Sequence, residues 1–331
     1  MVYVFILLLT SYGAFAPPPG YGLANTVSHT SKFSAGMEST DFAVTSYERV
    51  YILDNLNSEL IWTHGGIPMY GPKVEYCPTN HSKISAAYYH SKSKHPLIGS
   101  NSDADWRYTS DQEQIQYSYS NSIAEVSSAQ YLDISAEFPL MAFEPAGSKQ
   151  SLLMPKLVVI KFLSGLKITN VHWVTHGADV WQNDKYNIGH ETDDYFQIET
   201  SVTPVDFNHV FGAPYVGLSS ELTYEAFSIS GAVRYSNQVS HESLDIHGLR
   251  YLAYHDSATH GTLLGLDVAL KYQPSDKFTI TTTFTQDFYR PVRGHTNIYD
   301  YENEDEYDFP SSAGFESKTR GIHLGVSYSF W

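Results

Sequence analysis

The chain has 331 residues, with 36 acidic against 20 basic side chains and a formal net charge of −16. This balance argues against nucleic acid as a partner, because phosphate binding requires a basic surface. Aromatic residues make up 15% of the chain and charged residues only 17%, which indicates a partly apolar surface. No run approaches the roughly 18 consecutive apolar residues of a spanning helix, which argues against a helical membrane protein.

Residues 1–24 have the character of a secretory signal peptide. An apolar core from Val2 to Leu9 is followed by small residues, which is the usual order of the hydrophobic and cleavage regions. Cleavage is predicted after Ala24. No lysine or arginine occurs before Lys32, which departs from the usual signal, and the alternative is a buried N-terminal strand. Residues 25–331 are predicted to form one domain.

The C-terminal half alternates apolar and polar residues with a period of two. Segments of about ten residues that alternate in this way, separated by short turns, are typical of an antiparallel barrel that crosses a membrane. A soluble β-sandwich alternates similarly, but the signal-like N-terminus and the alternation of aromatic residues up to Phe330 favour the barrel. The clearest run contains Leu264, Leu266, Val268, Leu270 and Tyr272.

The predicted fold is all-β, a ten-stranded antiparallel transmembrane β-barrel with extended extracellular loops and short periplasmic turns. The acidic run 299–309 is predicted to be an exposed loop, and the arrangement of the segment near 123–160 stays open. The strands are predicted near 33–53, 58–76, 83–105 and 112–122, with two more within 130–176 and four between 190 and 331.

Two short spacings carry candidate chemistry. Asp103 and Asp105 are two residues apart, and in a strand they point to the same side. Two close carboxylates cannot both ionise cheaply, so they share a proton or hold a water. Asp245 and His247 have the same spacing, and an aspartate beside a histidine orients the ring and raises its pKa, which suits a general base. Since no activated nucleophile accompanies this base, a bound water is the natural attacking group.

Each spacing taken singly is more typical of solvated loop charges than of a catalytic site, so the two pairs gain meaning only if they face each other. Counted by twos, Asp245 and His247 fall in register with Phe227 to Tyr235, which should face lipid. The sequence therefore requires a bulge between about 236 and 244 to turn the pair inward.

Other site classes lack their sequence signals. The 15 histidines show neither the His-Glu-x-x-His nor the Cys-x-x-Cys spacing of zinc sites, so no metal site is predicted. A glycine-rich phosphate loop and a Gly-x-Ser-x-Gly elbow are also absent from the sequence, which disfavours nucleotide binding and serine hydrolysis.

Several motifs together resemble the omptins, outer-membrane proteases of Gram-negative bacteria. The resemblance runs, with gaps, from about residue 33 to the end, and it implies a ten-stranded barrel with an active-site groove at its extracellular rim. It also implies that water is the nucleophile and that peptides are cut next to basic residues, typically between two of them. The motifs are "YERVYIL" (47–53), "DADW" (103–106), "PYVGL" (214–218), "DIH" (245–247) and the tail from "RGHTNIYDYEN" (293–303) onward.

The resemblance assigns a role to each motif residue. Asp103 and Asp105 would bind the water, His247 would be the base, and Asp245 would orient it. Glu48 matches the acid at the floor of the pocket for the substrate's basic side chain. The family's second pocket acid, two residues before the dyad aspartate, is replaced by Ser243. The sequence thus predicts a weaker or broader preference at the cleaved position.

The resemblance also implies lipopolysaccharide as an activator, with no other cofactor. The family grips this lipid through basic residues on the outer wall, but His176 and Val210 stand where arginine is usual and His255 where lysine is usual. A decayed lipid site is one interpretation. The other is a lipid contact favoured by acid, because histidine is ordinarily cationic below about pH 6.5.

Two further functions compete with a protease. A barrel without activity, acting as an adhesin or structural protein, would fit the missing pocket acid and the altered lipid positions, although all four dyad residues are present. A porin is disfavoured, because barrels of about ten strands fill their interior with side chains.

Overall fold

The computed structural model describes residues 31–79, 81–91, 99–108, 113–145, 154–183 and 193–330, so the predicted signal peptide 1–24 lies outside the described residues. The described residues are almost entirely β-structure. The strands are β1 (Lys32–Ile52), β2 (Asn55–Cys77), β3 (Lys83–Ser91), β4 (Gly99–Tyr108), β5 (Gln114–Phe143), β6 (Leu157–Asn183), β7 (Asp193–Ile198), β8 (Val205–Thr223), β9 (Phe227–His247), β10 (Leu252–Ser275), β11 (Phe278–Asp300) and β12 (Asp305–Ser329).

The twelve strands form one closed antiparallel ring with ten positions around it. β3 and β4 each pair with β2 on one side and β5 on the other, so the two short strands together occupy one position of the ring. β7 and β8 likewise share one position beside β6. The ring closes where β1 pairs with β12, from Ser34 opposite Ser329 to Val50 opposite Ala313. The predicted ten-stranded barrel is confirmed, with two of its ten members interrupted.

The predicted strand positions need one correction, in the middle of the chain. Residues 114–143 form the single strand β5 rather than parts of two strands, and β6 follows it. Five ring positions, not four, therefore lie beyond residue 190. The physical reason is that β5 carries three register shifts against β6, between Asn121 and Ile123, Val126 and Ser128, and Pro139 and Met141. Each shift breaks the period of two on which the sequence prediction depends.

A belt of exposed apolar side chains surrounds the barrel over about half of its height. On β9 its outward side chains run from Phe227 to Tyr235, a span that matches the roughly 9–11 residues of a strand crossing a bilayer. The strands continue well beyond the belt at one end, and there the outward side chains on β9 become polar, as at Asn237 and Glu242. No helix among the described residues is long and apolar enough to cross a membrane. The belt also includes Val216, Leu218, Leu264, Leu266, Val268, Leu270, Ile322, Leu324, Val326 and Tyr328.

The extension above the belt is built from paired strands. The acidic run 299–309 is exposed as predicted, but most of it belongs to the β11–β12 hairpin, with Tyr299 opposite Glu306 and only a four-residue turn, 301–304. The extension above the belt therefore has a regular strand backbone, which can hold a site in fixed geometry.

Two kinds of packing fill the barrel interior. At the level of the belt, buried ion pairs cross it, such as Lys167 Nζ to Asp287 Oδ2 at 2.6 Å. Above them lies an aromatic layer in which Trp62 stacks on Phe207 with ring centroids 5.0 Å apart and also contacts Trp173. All three aromatic side chains are at most 1% exposed. This layer lies between the end above the belt and the polar interior.

The bulge predicted in β9 is present. It changes which alternate residues of the strand face the barrel interior. Arg234 and Ser236 are buried, whereas from Val239 onward the odd-numbered residues are buried, including Asp245 and His247. Ser236 and Val239 are three residues apart, but their partners on β10 are only two apart. The Ser236 hydroxyl accepts a hydrogen bond from the Gln238 amide at 3.1 Å, which stabilises the irregular backbone. The predicted inward turn of the Asp–His pair is confirmed.

Candidate active site

Asp103 and Asp105 lie on β4 above the belt. They share the inward face of the strand with Asn101, and Asp105 is only 6% exposed. Asp103 stands opposite Leu60 of β2, and the Ser58 hydroxyl donates a hydrogen bond to Asp103 Oδ1 at 3.3 Å. The carboxylate pair is thus held on a paired strand rather than on a solvated loop.

Asp245 and His247 end β9 and form a close dyad. His247 Nε2 lies 2.7 Å from Asp245 Oδ2, and both side chains are buried. The ring of Tyr254, which faces Asp245 from β10, meets the His247 ring edge to face at 5.1 Å. With Nε2 bonded to the carboxylate, Nδ1 is the nitrogen that can exchange a proton with a bound molecule.

The two pairs occupy different walls of the barrel rim. β4 and β9 are separated by three ring positions on one side and five on the other. Arg250, in the turn after His247, reaches across so that its Nη2 lies 3.8 Å from Asp105 Oδ2. The structure therefore brings all four predicted catalytic residues to one groove.

The charges of the two pairs act on each other. Burial raises the pKa of Asp103 to about 6, with Asp105 adding to the rise, while His247 and Arg250 oppose it. Burial lowers the pKa of His247, but the charge and hydrogen bond of Asp245 outweigh burial, so the net pKa of His247 is raised. Two groups whose pKa values are both raised, in one groove, have the properties of an acid–base site.

The predicted pocket residue Glu48 lies deep beside this groove. It is 3% exposed and faces inward from β1, between Leu60 of β2 and Phe315 of β12. Ser243 is equally buried, two residues before Asp245, and stands directly opposite Asp256 of β10.

Asp256 is a further buried acid in this region, opposite Ser243. Its side chain is 2% exposed and hydrogen-bonds to the Glu48 carboxyl group. Burial raises the pKa of Glu48 well above its ordinary value, and Asp245 and Asp256 raise it further. Burial also raises the pKa of Asp256 to about 6. Both carboxyl groups therefore hold a proton more strongly than an exposed acid does.

The three predicted lipid positions lie on the outer wall but are not brought together. His176 on β6 is bonded to Glu125 at 3.2 Å. Val210 on β8 faces Asn170 and Glu242, whereas His255 on β10 is exposed. No contact among the three positions occurs in the described part of the chain.

Sequence reasoning missed Asp256, Arg250 and Tyr254. All three follow from the tight turn after His247, in which the Arg250 amide donates to the His247 carbonyl at 3.1 Å. A turn centred there fixes the β9–β10 register and would have placed Asp256 opposite Ser243. No group of three or more potential metal ligands occurs among the described residues.

Comparison with known proteins identifies the fold and the family. The chain matches the model of the omptin family over residues 29–330. The plasminogen activator of Yersinia pestis is 22% identical over 168 residues, so the chain spans about half of that curated relative, with 50% of this chain and 52% of the relative covered. The crystal structure of the outer membrane protease OmpT from Escherichia coli matches with a TM-score of 0.78 at 18% identity, over 90% of this chain and 97% of that chain. Since the family model covers nearly the whole chain, the protein belongs to the omptin family, outer-membrane β-barrels of Gram-negative bacteria, and its groove faces the extracellular side.

Proposed function

We propose that this protein is an outer-membrane endopeptidase that cleaves polypeptides next to basic residues. The observation that carries the proposal is the meeting of Asp103 and Asp105 with the Asp245–His247 dyad at one rim of the barrel. Family membership supports peptide hydrolysis, and the curated relative is named as a plasminogen activator.

In the proposed mechanism a water molecule lies between the two pairs. Asp103 and Asp105 hold the water, and His247 Nδ1 removes one of its protons as the water oxygen attacks the peptide carbonyl. The imidazolium, stabilised by Asp245, then passes that proton to the leaving amine, so the peptide bond breaks and a carboxylic acid and an amine result. The buried carboxylate of Asp245 binds Nε2 and so leaves Nδ1 as the nitrogen that takes the proton.

The pocket at Glu48 supports the choice of substrate. A buried acid beside the groove favours a cationic side chain, because an ion pair is stronger where water is excluded. Polypeptides with arginine or lysine at the cleaved position are therefore the proposed substrates. Lipopolysaccharide is the proposed activator, bound on the outer wall near His176 and His255.

A fluorogenic dibasic peptide tests the proposal in micelles that contain lipopolysaccharide. Wild type should cleave it, whereas Asp103→Ala and His247→Ala should each lose roughly 10²- to 10⁴-fold in kcat. The matched control is Asp276→Asn, which removes one exposed carboxylate from the β10–β11 turn at the opposite end. No wild-type cleavage between pH 5 and 8 would favour an inactive barrel that serves as an adhesin or structural protein.

A further inference from the structure

We propose that Asp256 is the second acid of the specificity pocket, so that Glu48 and Asp256 together bind the guanidinium or ammonium group of the substrate's basic residue. This inference rests on the proposed function and deepens it by naming a residue that determines specificity. It also replaces the expected loss of selectivity at Ser243, since the carboxylate has moved to the facing strand.

The first argument comes from the partners of the buried acids. Among the described residues, six carboxylate side chains are buried, and four of them face a cationic or histidine side chain of the chain itself. Glu48 and Asp256 form no ion pair among the described residues, and the one histidine that favours the charged form of Asp256 is the exposed His255 next to it in sequence. Burying a carboxylate without a cation is costly, so a pocket that keeps two of them is suited to a cation from outside. The paired acids are Glu38 with Lys73, Asp287 with Lys167, Asp245 with His247, and Asp105 with Arg250.

The second argument comes from unused hydrogen-bonding atoms. Glu48 Oε2 and Asp256 Oδ1 receive no hydrogen bond from a donor group in the described part of the chain. Ser243 Oγ and Asp245 Oδ1 are buried and equally without a partner. Buried polar atoms are nearly always bonded, so these unpartnered acceptors beside the groove indicate a ligand that donates several hydrogen bonds. A guanidinium group has five donors and an ammonium group three.

The third argument comes from register. Asp256 is the direct cross-strand neighbour of Ser243, and directly opposed residues have Cβ atoms about 4.5–5.5 Å apart. A carboxylate at either position therefore reaches the same space. On the other side of Asp256 its cross-strand neighbour is Thr296 of β11, which is also buried and whose hydroxyl oxygen has no hydrogen-bond partner among the described residues.

The charges around the pocket agree with this role. The groups that act on Glu48 are Asp245 from β9, Asp256 from β10 and Asp103 from β4. Its neighbours on β2 and β12, Leu60 and Phe315, carry no charge. The acids around Glu48 thus favour an entering cation, because opposite charges attract strongly where water is excluded.

A binding experiment without turnover tests the inference directly. In the His247→Ala background, n-butylguanidinium and the neutral n-butylurea are titrated into the protein in lipopolysaccharide-containing micelles and followed by NMR. The guanidinium should bind at least about tenfold more tightly than the urea. Asp256→Asn should weaken the guanidinium by roughly 10- to 100-fold, the usual effect of removing a hydrogen bond between charged groups, whereas Asp276→Asn should leave both affinities unchanged.

A positional exchange separates a binding role from a structural one. In the double variant Ser243→Asp/Asp256→Ser the carboxylate moves to the opposite strand, and guanidinium affinity should recover to within about tenfold of the parent. Folding of each variant is checked by its heat-dependent migration in gels. A residue that only supports the barrel would not be rescued by this exchange.

Peptide kinetics keep the two proposals distinguishable. With otherwise intact protein, matched peptides with arginine or citrulline at the cleaved position give the ratio of kcat/KM, which Asp256→Asn should lower by roughly 10- to 100-fold. The inference is overturned if Asp256→Asn keeps both this ratio and its guanidinium affinity within twofold of wild type. If cleavage still depends on His247 in that case, the proposed protease activity is retained. Selective binding of guanidinium without any peptide cleavage would support the proposed cation pocket and contradict the proposed protease activity.

Discussion

Arg250 and Asp105 connect two walls of the barrel rim. The arginine Nη2 lies 3.8 Å from the Asp105 Oδ2, and the arginine side chain is half exposed whereas the aspartate is buried. A pair of this kind contributes only about 0–1 kcal/mol to stability. Its main consequence is electrostatic, because the guanidinium lowers the pKa of both Asp103 and His247.

Arg250→Gln should therefore shift the pH profile of kcat/KM. The rise in activity on its acid side, the acid limb, should occur at higher pH. Without the cation, the pKa values of Asp103 and His247 both rise. A higher pH is then needed to form the neutral His247 ring, which is the proposed base. The limb is read from kcat/KM, which reports the free enzyme's groups, and a shift of up to about one pH unit is expected. Arg250→Lys keeps the charge and should keep the limb. A shift toward lower pH would contradict the arrangement described for this groove.

The sequence predicts the barrel and the two catalytic pairs because both follow from local patterns. Alternation marks the strands, and the two spacings mark the carboxylate pair and the Asp–His pair. Asp256 could not be found in the same way, because it meets Ser243 only through the β9–β10 register. The division of β5 failed for a related reason, since its three register shifts interrupt the alternation. Features that depend on pairing between strands need the structure.

Asp245→Asn should shift the acid limb in the opposite direction. Asp245 raises the pKa of His247 by its charge and by the 2.7 Å hydrogen bond, so the amide lowers that pKa and extends the neutral form to lower pH. The maximal kcat should fall by roughly 10²- to 10⁴-fold, because the ring loses its orientation. Full pH profiles of kcat/KM for wild type and variant check both effects, and an unchanged limb would mean that Asp245 does not act on His247.

Glu48→Gln should stabilise the barrel at neutral pH. The folded pKa of Glu48 lies above its ordinary value of 4.5 because of burial and the nearby carboxylates. For an acid with a raised folded pKa, stability is lost as pH rises above the unfolded value. The glutamine removes this penalty, and each pKa unit relieved is worth about 1.4 kcal/mol, which corresponds to roughly 2–4 °C in Tm.

Thermal unfolding in detergent at pH 4 and pH 8, at one scan rate, measures this gain. The difference between Glu48→Gln and wild type should be present at pH 8 and small at pH 4, where the glutamate is protonated in both states. Asp276→Asn, which removes an exposed carboxylate, should change neither value. An equal gain at both pH values would point to packing rather than to charge. A more stable but less selective variant would identify Glu48 as a residue retained for function.

Activation by lipopolysaccharide should be stronger in acid if the outer-wall histidines bind it. Histidine is ordinarily cationic below about pH 6.5, and anionic lipid would then compete with Glu125 for His176. The ratio of activities with and without lipid is measured from pH 5 to 8, because the ratio cancels the titration of the active site. The double variant His176→Arg/His255→Lys should hold the ratio high at every pH, whereas His81→Arg, at the opposite end of the barrel, should not. A ratio that stays constant in wild type from pH 5 to 8 would exclude these histidines as the source of lipid dependence.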